Sequence, residues 1–313
     1  AGVTRYRSLG LFLVLAAVWG SAFMAIKAGL AFFPPVLFAA IRYDIAGVVM
    51  LAYALYATDV PLPRDQGEWT EVAIGAVLLI AVYHALLFVG ELDPSVASAA
   101  AAVVVSLSPV LTTGFARALL PSERLTAGGI AGLVLGLVGV AVLSELDPSN
   151  LLAGGTVPKL LILGAAAAFA LGSVLARRVD SDLPIATMEA WSMIGGAAIM
   201  HAVSLALGES VANVVLNGES VAALAYLSLA ASALGFLIYF DLLDRLGPIE
   251  INLVSYVAPI FAALSGWAFL DEVPTPATGG GFLLIFLGFL LLKRRAIRAE
   301  VAGWIDRDAP TAE

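Results

Sequence analysis

Cysteine is absent from this sequence of 313 residues, and only two histidines are present. Without cysteine the chain forms no disulfide bond, no thiolate metal site and no thiol nucleophile. The sequence also has no P-loop for ATP, no His-Glu-x-x-His metal motif and no clustered pair of carboxylates within an apolar segment. These absences argue against an ATP-driven pump and a metalloenzyme, and we expect no enzyme activity, no metal and no cofactor.

Charged residues are also scarce, at 13% of the chain, whereas 61% of the residues are hydrophobic. The mean hydropathy of +0.99 is far above that of a soluble domain. A helix needs roughly 20 apolar residues to cross a hydrocarbon core of about 30 Å. In lipid the backbone N–H and C=O groups of such continuous apolar segments must form hydrogen bonds within the protein, and a helix provides them. The composition therefore predicts an all-α integral membrane protein in contact with the lipid bilayer, and the net charge of −8 indicates a solvated surface rather than a nucleic-acid site.

Apolar runs between charged residues, prolines and glycines predict ten transmembrane helices. Each run is long enough to cross alone, and the first is too long for a cleaved signal peptide. The predicted spans are 8–30, 34–56, 69–90, 94–118, 125–144, 156–178, 184–206, 219–243, 248–270 and 276–295.

Lysine and arginine are distributed unequally between alternate connections. Nearly all fall on one side, and only Lys27 and Lys159 lie near the other. By the positive-inside rule the rich side is the cytoplasm. This predicts that both termini are cytoplasmic and that the protein is a multi-pass protein of the cell membrane.

The two halves of the chain repeat one pattern. Four residues of the first half recur in the second: Pro109, Glu123, Gly132 and Gly139 match Pro259, Glu272, Gly281 and Gly288. The intervals from the glutamate to the two glycines are 9 and 16 residues in both copies. Five spans per copy is an odd number, so the second copy is inverted in the membrane, as in secondary transporters. We predict repeats at 8–144 and 156–295 and a cytoplasmic tail at 296–313.

Several short segments resemble the EamA-type branch of the drug/metabolite transporter superfamily, from about Leu9 to Leu292. The matching residues are Trp19 to Phe23 with Lys27, then Phe38, Arg42, Tyr43 and Ala46, then Ser122 to Thr126, Gly247 and Pro248, Pro259 to Leu264 and Leu270 to Glu272. The resemblance implies ten helices in two inverted five-helix repeats and the movement of small metabolites. It implies no particular substrate.

Pro109 and Pro259 lie near the middle of spans 4 and 9, where each removes an amide donor and bends the helix. Discontinuous helices at matching positions of two halves indicate a binding cavity in transporters. A kink that serves only helix packing explains them equally well.

Arg42 is the strongest polar candidate for a substrate contact. It lies eight residues into span 2, roughly 12 Å deep at 1.5 Å per residue, and a charge there needs a partner or a wet cavity. Asp44 lies about 200° around the same helix from Arg42, so the two cannot pair within the span and Asp44 needs another partner. Lys27 either reaches Asp44 or an anionic substrate, or extends to the interface. We treat Lys27 and Asp44 as candidates for coupling or gating.

His84 and Glu189 are candidates for handling a proton. Histidine titrates near neutral pH, although a lone histidine in a span often only forms hydrogen bonds. Glu189 is a membrane carboxylate, a common proton carrier, but it lies near the cytoplasmic end of span 7. We therefore list His84 with the substrate-binding candidates and Glu189 with the coupling or gating candidates.

Aromatic residues occur inside several spans, away from the interfacial belts. They are Trp19, Tyr43, Tyr83, Trp191, Tyr239 and Tyr256. An apolar pocket with a few polar groups suits an amino acid or a similar amphiphilic solute. Core packing explains the same residues.

The sequence thus predicts a secondary transporter, an exporter of small metabolites such as amino acids, that works by alternating access. The alternatives are an efflux carrier for drugs or cations, a membrane-embedded enzyme and a channel. Two complete repeats make a monomer sufficient, and a dimer stays open.

Overall fold

The computed structural model describes residues 2–119, 127–143, 156–179, 181–251 and 253–308, and within these ranges the chain is helical with short connections and no strand. The predicted all-α class is therefore confirmed for the described residues. The helices are α1 (Gly2–Gly29), α2 (Pro35–Ala57), α3 (Gln66–Glu91), α4 (Ser98–Leu119), α5 (Ala127–Leu143), α6 (Thr156–Val179), α7 (Ile185–Ala206), α8 (218–251), α9 (Val254–Leu270) and α10 (Pro276–Asp308).

Six of these helices contain stretches that are long and apolar enough to cross a membrane: Arg7–Gly29, Pro35–Ala57, Gln66–Glu91, Ser98–Leu119, Thr156–Val179 and Gly218–Tyr239. Shorter apolar helices are Ala127–Val142, Val254–Leu270 and Pro276–Leu291. These lengths fit a membrane protein, because a helix rises 1.5 Å per residue and about 20 residues cover the hydrocarbon core.

Two helices contain a π-helical segment. In α3 the segment is Gly75–Val82, and in α8 it is Tyr226–Leu234. A π segment widens the helix and changes which carbonyl groups the regular ladder uses, and such segments often occur at functional sites. The two segments therefore direct attention to the side chains around them.

Helix α4 is interrupted before Pro109. A turn at residues 106–107 separates Ser98–Val105 from Ser108–Leu119, so that Pro109 lies in the first turn of the second piece. Pro109 has no N–H for the Val105 carbonyl, and the hydroxyl of Ser108 donates to that carbonyl instead, at 2.7 Å. Pro259 differs, because it lies inside the uninterrupted helix α9. The predicted pair of discontinuities is thus seen in α4 alone.

The turn between α8 and α9 lies later than the sequence indicates. The predicted spans 219–243 and 248–270 place it around residues 244–247, whereas α8 continues to Ile251. Asp241 and Arg245 form an ion pair of 2.7 Å along one helix face, and their four-residue spacing favours a helix over a turn. The last helix likewise runs without a break to Asp308, beyond the predicted start of a tail at residue 296.

Helices α5 and α10 pack closely through the repeated glycines. A Cβ atom on Gly139 would lie 2.8 Å from the Gly281 carbonyl oxygen, and one on Gly288 would lie 2.6 Å from the Gly132 carbonyl oxygen. Only glycine permits this approach. The contacts pair the two helices in opposite directions. Glu123, the acidic member of the repeated pattern, lies outside the described residues.

The remaining helices enclose a largely apolar core. Helix α2 packs on α7, α1 on α9, α4 on α6, α3 on both α6 and α7, and α8 on both α1 and α2. Phe38, Tyr43, Phe88 and Met193 are among its fully buried side chains. The polar groups described next lie within this packing of α1, α2, α3, α7 and α8.

Candidate functional site

Arg42 is buried, with 5% of its surface exposed. Its Nε donates to the Ser232 hydroxyl at 3.1 Å. Its guanidinium carbon lies 5.0 Å from the ring centre of Tyr43 and 6.0 Å from that of Phe88. Among the described residues no carboxylate forms an ion pair with it. A guanidinium held by a hydroxyl and two rings keeps its positive charge uncompensated, and an anionic group of a ligand would compensate it.

Tyr43 and His84 form a second buried pair. The His84 Nδ1 lies 2.9 Å from the Ile80 carbonyl oxygen and its Nε2 lies 2.7 Å from the Tyr43 hydroxyl. A carbonyl oxygen only accepts, so Nδ1 carries the hydrogen, and in the neutral ring Nε2 accepts from Tyr43. A second proton on His84 would turn the Tyr43 hydroxyl from a donor into an acceptor. The pair therefore fixes the orientation of Tyr43 beside Arg42.

Both π segments contribute to these contacts. Ile80, the acceptor for His84, belongs to the segment in α3. In α8, the Ala231 carbonyl accepts from Trp19 Nε1 at 3.0 Å, and the next residue is Ser232. The unusual helical geometry thus presents one carbonyl to each of two ring N–H groups and a hydroxyl to Arg42.

Aromatic rings and one carboxylate complete this group. The Trp19 ring lies 5.5 Å from that of Tyr239 and 5.8 Å from that of Phe236, measured between centres. Glu189 on α7 is buried, and it lies close enough to Tyr43 and Tyr239 for a charge on its carboxyl group to influence their hydroxyls. No hydrogen bond to the Glu189 carboxylate is formed by any residue in the described part of the chain. We call the group comprising Trp19, Arg42, Tyr43, His84, Glu189, Ser232 and Tyr239 the Arg42 site.

Asp44 lies outside the Arg42 site. Its carboxylate forms an ion pair of 2.7 Å with His201 on α7, and the two side chains are 50% and 38% exposed. The sequence indicated correctly that Asp44 looks away from Arg42, but it did not identify His201 as the partner.

Trp191 also lies elsewhere. Its Nε1 donates to the Pro61 carbonyl at 2.9 Å, and its ring meets that of Trp69 at 5.9 Å. It therefore closes the connection between α2 and α3 against α7. This contact anchors a loop.

Tyr83 and Tyr256 flank the core. The Tyr83 ring stands edge-on to His84 at 4.5 Å and contacts Phe169 on α6 at 5.3 Å. Tyr256 packs against Phe286 and Phe289 of α10, at 5.5 and 4.7 Å. Tyr83 thus packs between His84 and Phe169 of α6, and Tyr256 joins α9 to α10.

Lys27 belongs to a different polar group, at the end of α1. Its ammonium donates to the carbonyls of Asp93, at 3.3 Å, and Val96, and lies 3.8 Å from Glu272 Oε1. The other oxygen of Glu272 accepts from the backbone N–H of Ser98 at 2.9 Å. The contact with Asp44 that the sequence allowed for Lys27 is not seen, because Asp44 contacts His201 instead. We call the group of Lys27, Glu91, Ser98 and Glu272 the Lys27 cluster.

Sequence reasoning missed four residues of these two groups, and one of them, Ser98, lies in a run of small residues typical of helix packing. Glu272 was noticed only as a repeat marker, although an acidic residue kept at the same place in both halves was a usable signal. Glu91 directly follows the predicted span 69–90 and so looked like part of a solvated connection. Ser232 carried no signal, since serine is common in membrane helices.

A cavity of about 380 Å³ lies between α2, α7 and the connection that follows α7. Its lining is mostly apolar and includes Leu37, Ile41, His201 and Glu209, but none of the Arg42 site. In the described part of the chain, no group of three or more His, Asp or Glu side chains is placed to hold a metal ion.

Comparison with known proteins agrees with this architecture. The model of the EamA-like transporter family matches residues 7–145 and again residues 158–294. An uncharacterized transporter, YvbV of Bacillus subtilis (strain 168), is 29% identical over 304 residues, which cover 96% of each chain. An uncharacterized inner membrane transporter, YedA of Escherichia coli (strain K12), is 30% identical over 268 residues, which cover 84% of each chain.

A plant relative and a solved structure extend the comparison. The WAT1-related protein At3g02690, chloroplastic, of Arabidopsis thaliana is 30% identical over 263 residues, which are 81% of this chain and 61% of that protein. One crystal structure, 24% identical in sequence, superimposes with a TM-score of 0.65 over 93% of this chain and 98% of its own, which shows a shared fold. Since the family model matches both halves and so most of the sequence, this chain is a multi-pass membrane protein that belongs to the EamA-like transporter family of the drug/metabolite transporter type.

Proposed function

We propose that the protein is an alternating-access carrier built from two inverted five-helix halves. The most extensive helix contacts support this, because replacing each helix by the one five places away in the other half returns the same pairs. The contact of α1 with α9 becomes that of α6 with α4, and α2–α7 and α5–α10 pair equivalent helices. Both members of the α3 and α8 pair carry a π segment. Halves related in this way can rock about a site between them.

The site that we assign to the substrate is the Arg42 site, which lies where the two halves meet. Arg42 and Tyr43 come from α2 and His84 from α3, while Glu189 and Ser232 come from α7 and α8 of the second half. A solute bound there contacts both halves, so their relative movement would change its exposure from one side to the other.

The substrate class follows from charge. Arg42 lacks an acidic partner among the described residues and suits a carboxylate, for which its planar donors are well shaped. Glu189 is a buried carboxyl group on another helix, α7, and suits an ammonium group. The rings of Trp19 and Tyr239 offer an apolar surface. A guanidinium, a carboxylate and aromatic rings together favour an amino acid, and the buried, unpaired Arg42 is the observation that carries this proposal.

An efflux carrier for lipophilic cations is the competing proposal, with Glu189 as the binding carboxylate. Arg42 disfavours it, because a buried guanidinium repels a cation that enters the same site. We propose export across the cell membrane as the direction of transport, both termini in the cytoplasm, and a monomer as the working unit.

The first test measures binding. Amino acids should raise the unfolding temperature of the detergent-purified protein, because a ligand of the folded state stabilises it. The shift should disappear in Arg42→Gln and persist in Arg64→Gln, a matched change at an exposed arginine of the connection between α2 and α3.

The second test measures transport in proteoliposomes. Wild-type protein and Arg64→Gln should exchange labelled amino acid for unlabelled amino acid, and Arg42→Gln should lose this counterflow at normal protein levels. Stabilisation and exchange by lipophilic cations alone would overturn the amino-acid assignment. Electrical conductance without saturable counterflow would overturn the carrier itself.

A further inference from the structure

The Lys27 cluster concentrates buried oxygens that have no hydrogen-bond partner among the described residues. These are both carboxyl oxygens of Glu91, the hydroxyl of Ser98 and Oε1 of Glu272. Glu91 is 1% exposed, and burying a polar group without a partner is costly. An unpartnered and fully buried carboxyl calls for a ligand that reduces its charge.

The two carboxyl groups of the cluster differ in what stabilises their charge. Glu272 lies beside the Lys27 ammonium and accepts from the N–H of Ser98 at the start of α4, where the helix dipole favours an anion. Glu91 has neither contact. The Lys27 charge therefore balances Glu272, and a second negative charge on Glu91 would have no counterpart within the cluster.

Other charged groups lie around Glu91 and its neighbours in the cluster. The charges of Lys27, Glu272 and Arg42 reach it, and Arg42 is the group that we assign to the substrate. Asp93 follows on the same connection and Lys159 lies on α6, the helix that packs against Gly90 through Ile162. The Asp93 carboxylate accepts from the backbone N–H of Ser95 at 2.8 Å.

The turn at the end of α9 places Glu272 in the cluster. Asp271 ends α9 in the left-handed conformation, with φ of 54°, and this turns the chain back so that Glu272 lies over Gly266. A Cβ atom on Gly266 would lie 2.4 Å from Glu272 Oε2, so a larger residue there would displace the Glu272 carboxylate from its position. The cluster thus joins α1, α3, α4 and the end of α9 at one end of the molecule.

We propose that Glu91 takes up a proton from the water of the opposite side while this end of the carrier is closed, and releases it to the water of this side when the cluster opens, an inference that rests on the proposed carrier function. The step is the dissociation of one carboxylic acid into a carboxylate and a proton. A proton fits better than a sodium ion, because the Lys27 ammonium already occupies the Asp93 and Val96 carbonyls that a metal cation would need. Each opening of this end would then couple solute movement to one proton.

Proton binding is tested without any transport. Infrared difference spectra of the protein in liposomes, recorded between acid and alkaline pH, should contain the carbonyl stretch of a buried carboxylic acid. The band should be lost in Glu91→Gln, which has the shape of the neutral acid, and kept in Glu219→Gln, a change at an exposed glutamate of α8. Because Glu189 is also buried and can contribute a band in the same region, all of these proteins carry Glu189→Gln, and a band that persists undiminished when Glu91→Gln is added would overturn the assignment.

Coupling is tested by transport with the membrane potential clamped. One proton per solute and a gradient of one pH unit support up to about tenfold accumulation of amino acid in the wild type and in Glu219→Gln. In Glu91→Gln, the pH gradient should have no effect. A gradient that still drives Glu91→Gln, or a sodium gradient that replaces it in the wild type, would overturn the inference. Absence of wild-type counterflow at equal pH would instead refute the carrier proposal, and the infrared result would stand by itself.

Discussion

The hydroxyl of Tyr43 and the imidazole of His84 depend on each other for hydrogen bonding. Removing the hydroxyl in Tyr43→Phe leaves His84 Nε2 buried without its donor. We expect a loss of about 1–3 kcal/mol in stability, the cost of one unsatisfied buried group. Thermal unfolding in detergent measures it, with Tyr56→Phe as the control, because Tyr56 is 90% exposed. Equal unfolding temperatures for both variants would show that the bond contributes nothing.

A single residue was predictable from sequence where its depth within a membrane span was enough to make it a candidate for the site. Arg42 was identified because any charge eight residues into an apolar span needs special surroundings. Glu91 was not, since its burial depends on α1, α4 and the end of α9, which are remote in sequence. The contact of Trp191 was not predicted for a similar reason, because its N–H donates to the Pro61 carbonyl, on a connection whose position sequence patterns do not give.

At the scale of helices, the close approach of α5 and α10 gives a sharp test. Gly288→Ala places a methyl group against the backbone of Gly132 and Gly136. Forcing the helices apart should cost about 1–3 kcal/mol, the usual range for overpacking. Gly279→Ala, on the same helix, has open space around it and serves as the control. Unfolding temperatures that fall equally in both variants would point to the intrinsic effect of alanine and not to the contact.

Helices themselves were predictable because their apolar runs are long and clearly punctuated. The ends were less so: α8 passes through Pro248, whose fixed φ is compatible with a helix. The π segments had no sequence signal at all. Their geometry depends on packing against α1, α2 and α7, and the residues that form them, such as Ala76 and Ala231, are ordinary helix formers.

For the whole molecule, the predicted topology is open to a direct test because the chain has no native cysteine. Single cysteines at exposed positions report the side of the membrane. Arg64→Cys and Asp182→Cys should react with an impermeant thiol reagent only from the cytoplasm, and Ser95→Cys and Ser210→Cys only from outside. The same side for Arg64→Cys and Ser95→Cys would refute the spanning of α3.

The pairing of the two halves was anticipated from four repeated residues, but its atomic basis was not. The sequence contains the glycines of α5 and α10, yet only the structure shows that Gly139 meets Gly281 and that Gly288 meets Gly132. The residues of the proposed site differ from this pattern, because Arg42, Glu189 and Ser232 occupy positions without matching partners in the other half. A repeat predicts the frame, whereas the asymmetric residues within it must be located by their contacts.

The π segments also alter the rotational phase of the helices that contain them. Each residue of a π helix advances around the axis by a smaller angle than a residue of an α helix. Across Gly75–Val82 and Tyr226–Leu234 the side chains therefore turn around the helix axis by less than a regular α-helical wheel gives. In a substitution scan along α3 or α8, the positions that are sensitive to substitution should follow the α-helical period before the π segment and be shifted after it. Residues beyond the π segment therefore face directions that a helical wheel drawn from the start of the helix assigns to neighbouring residues.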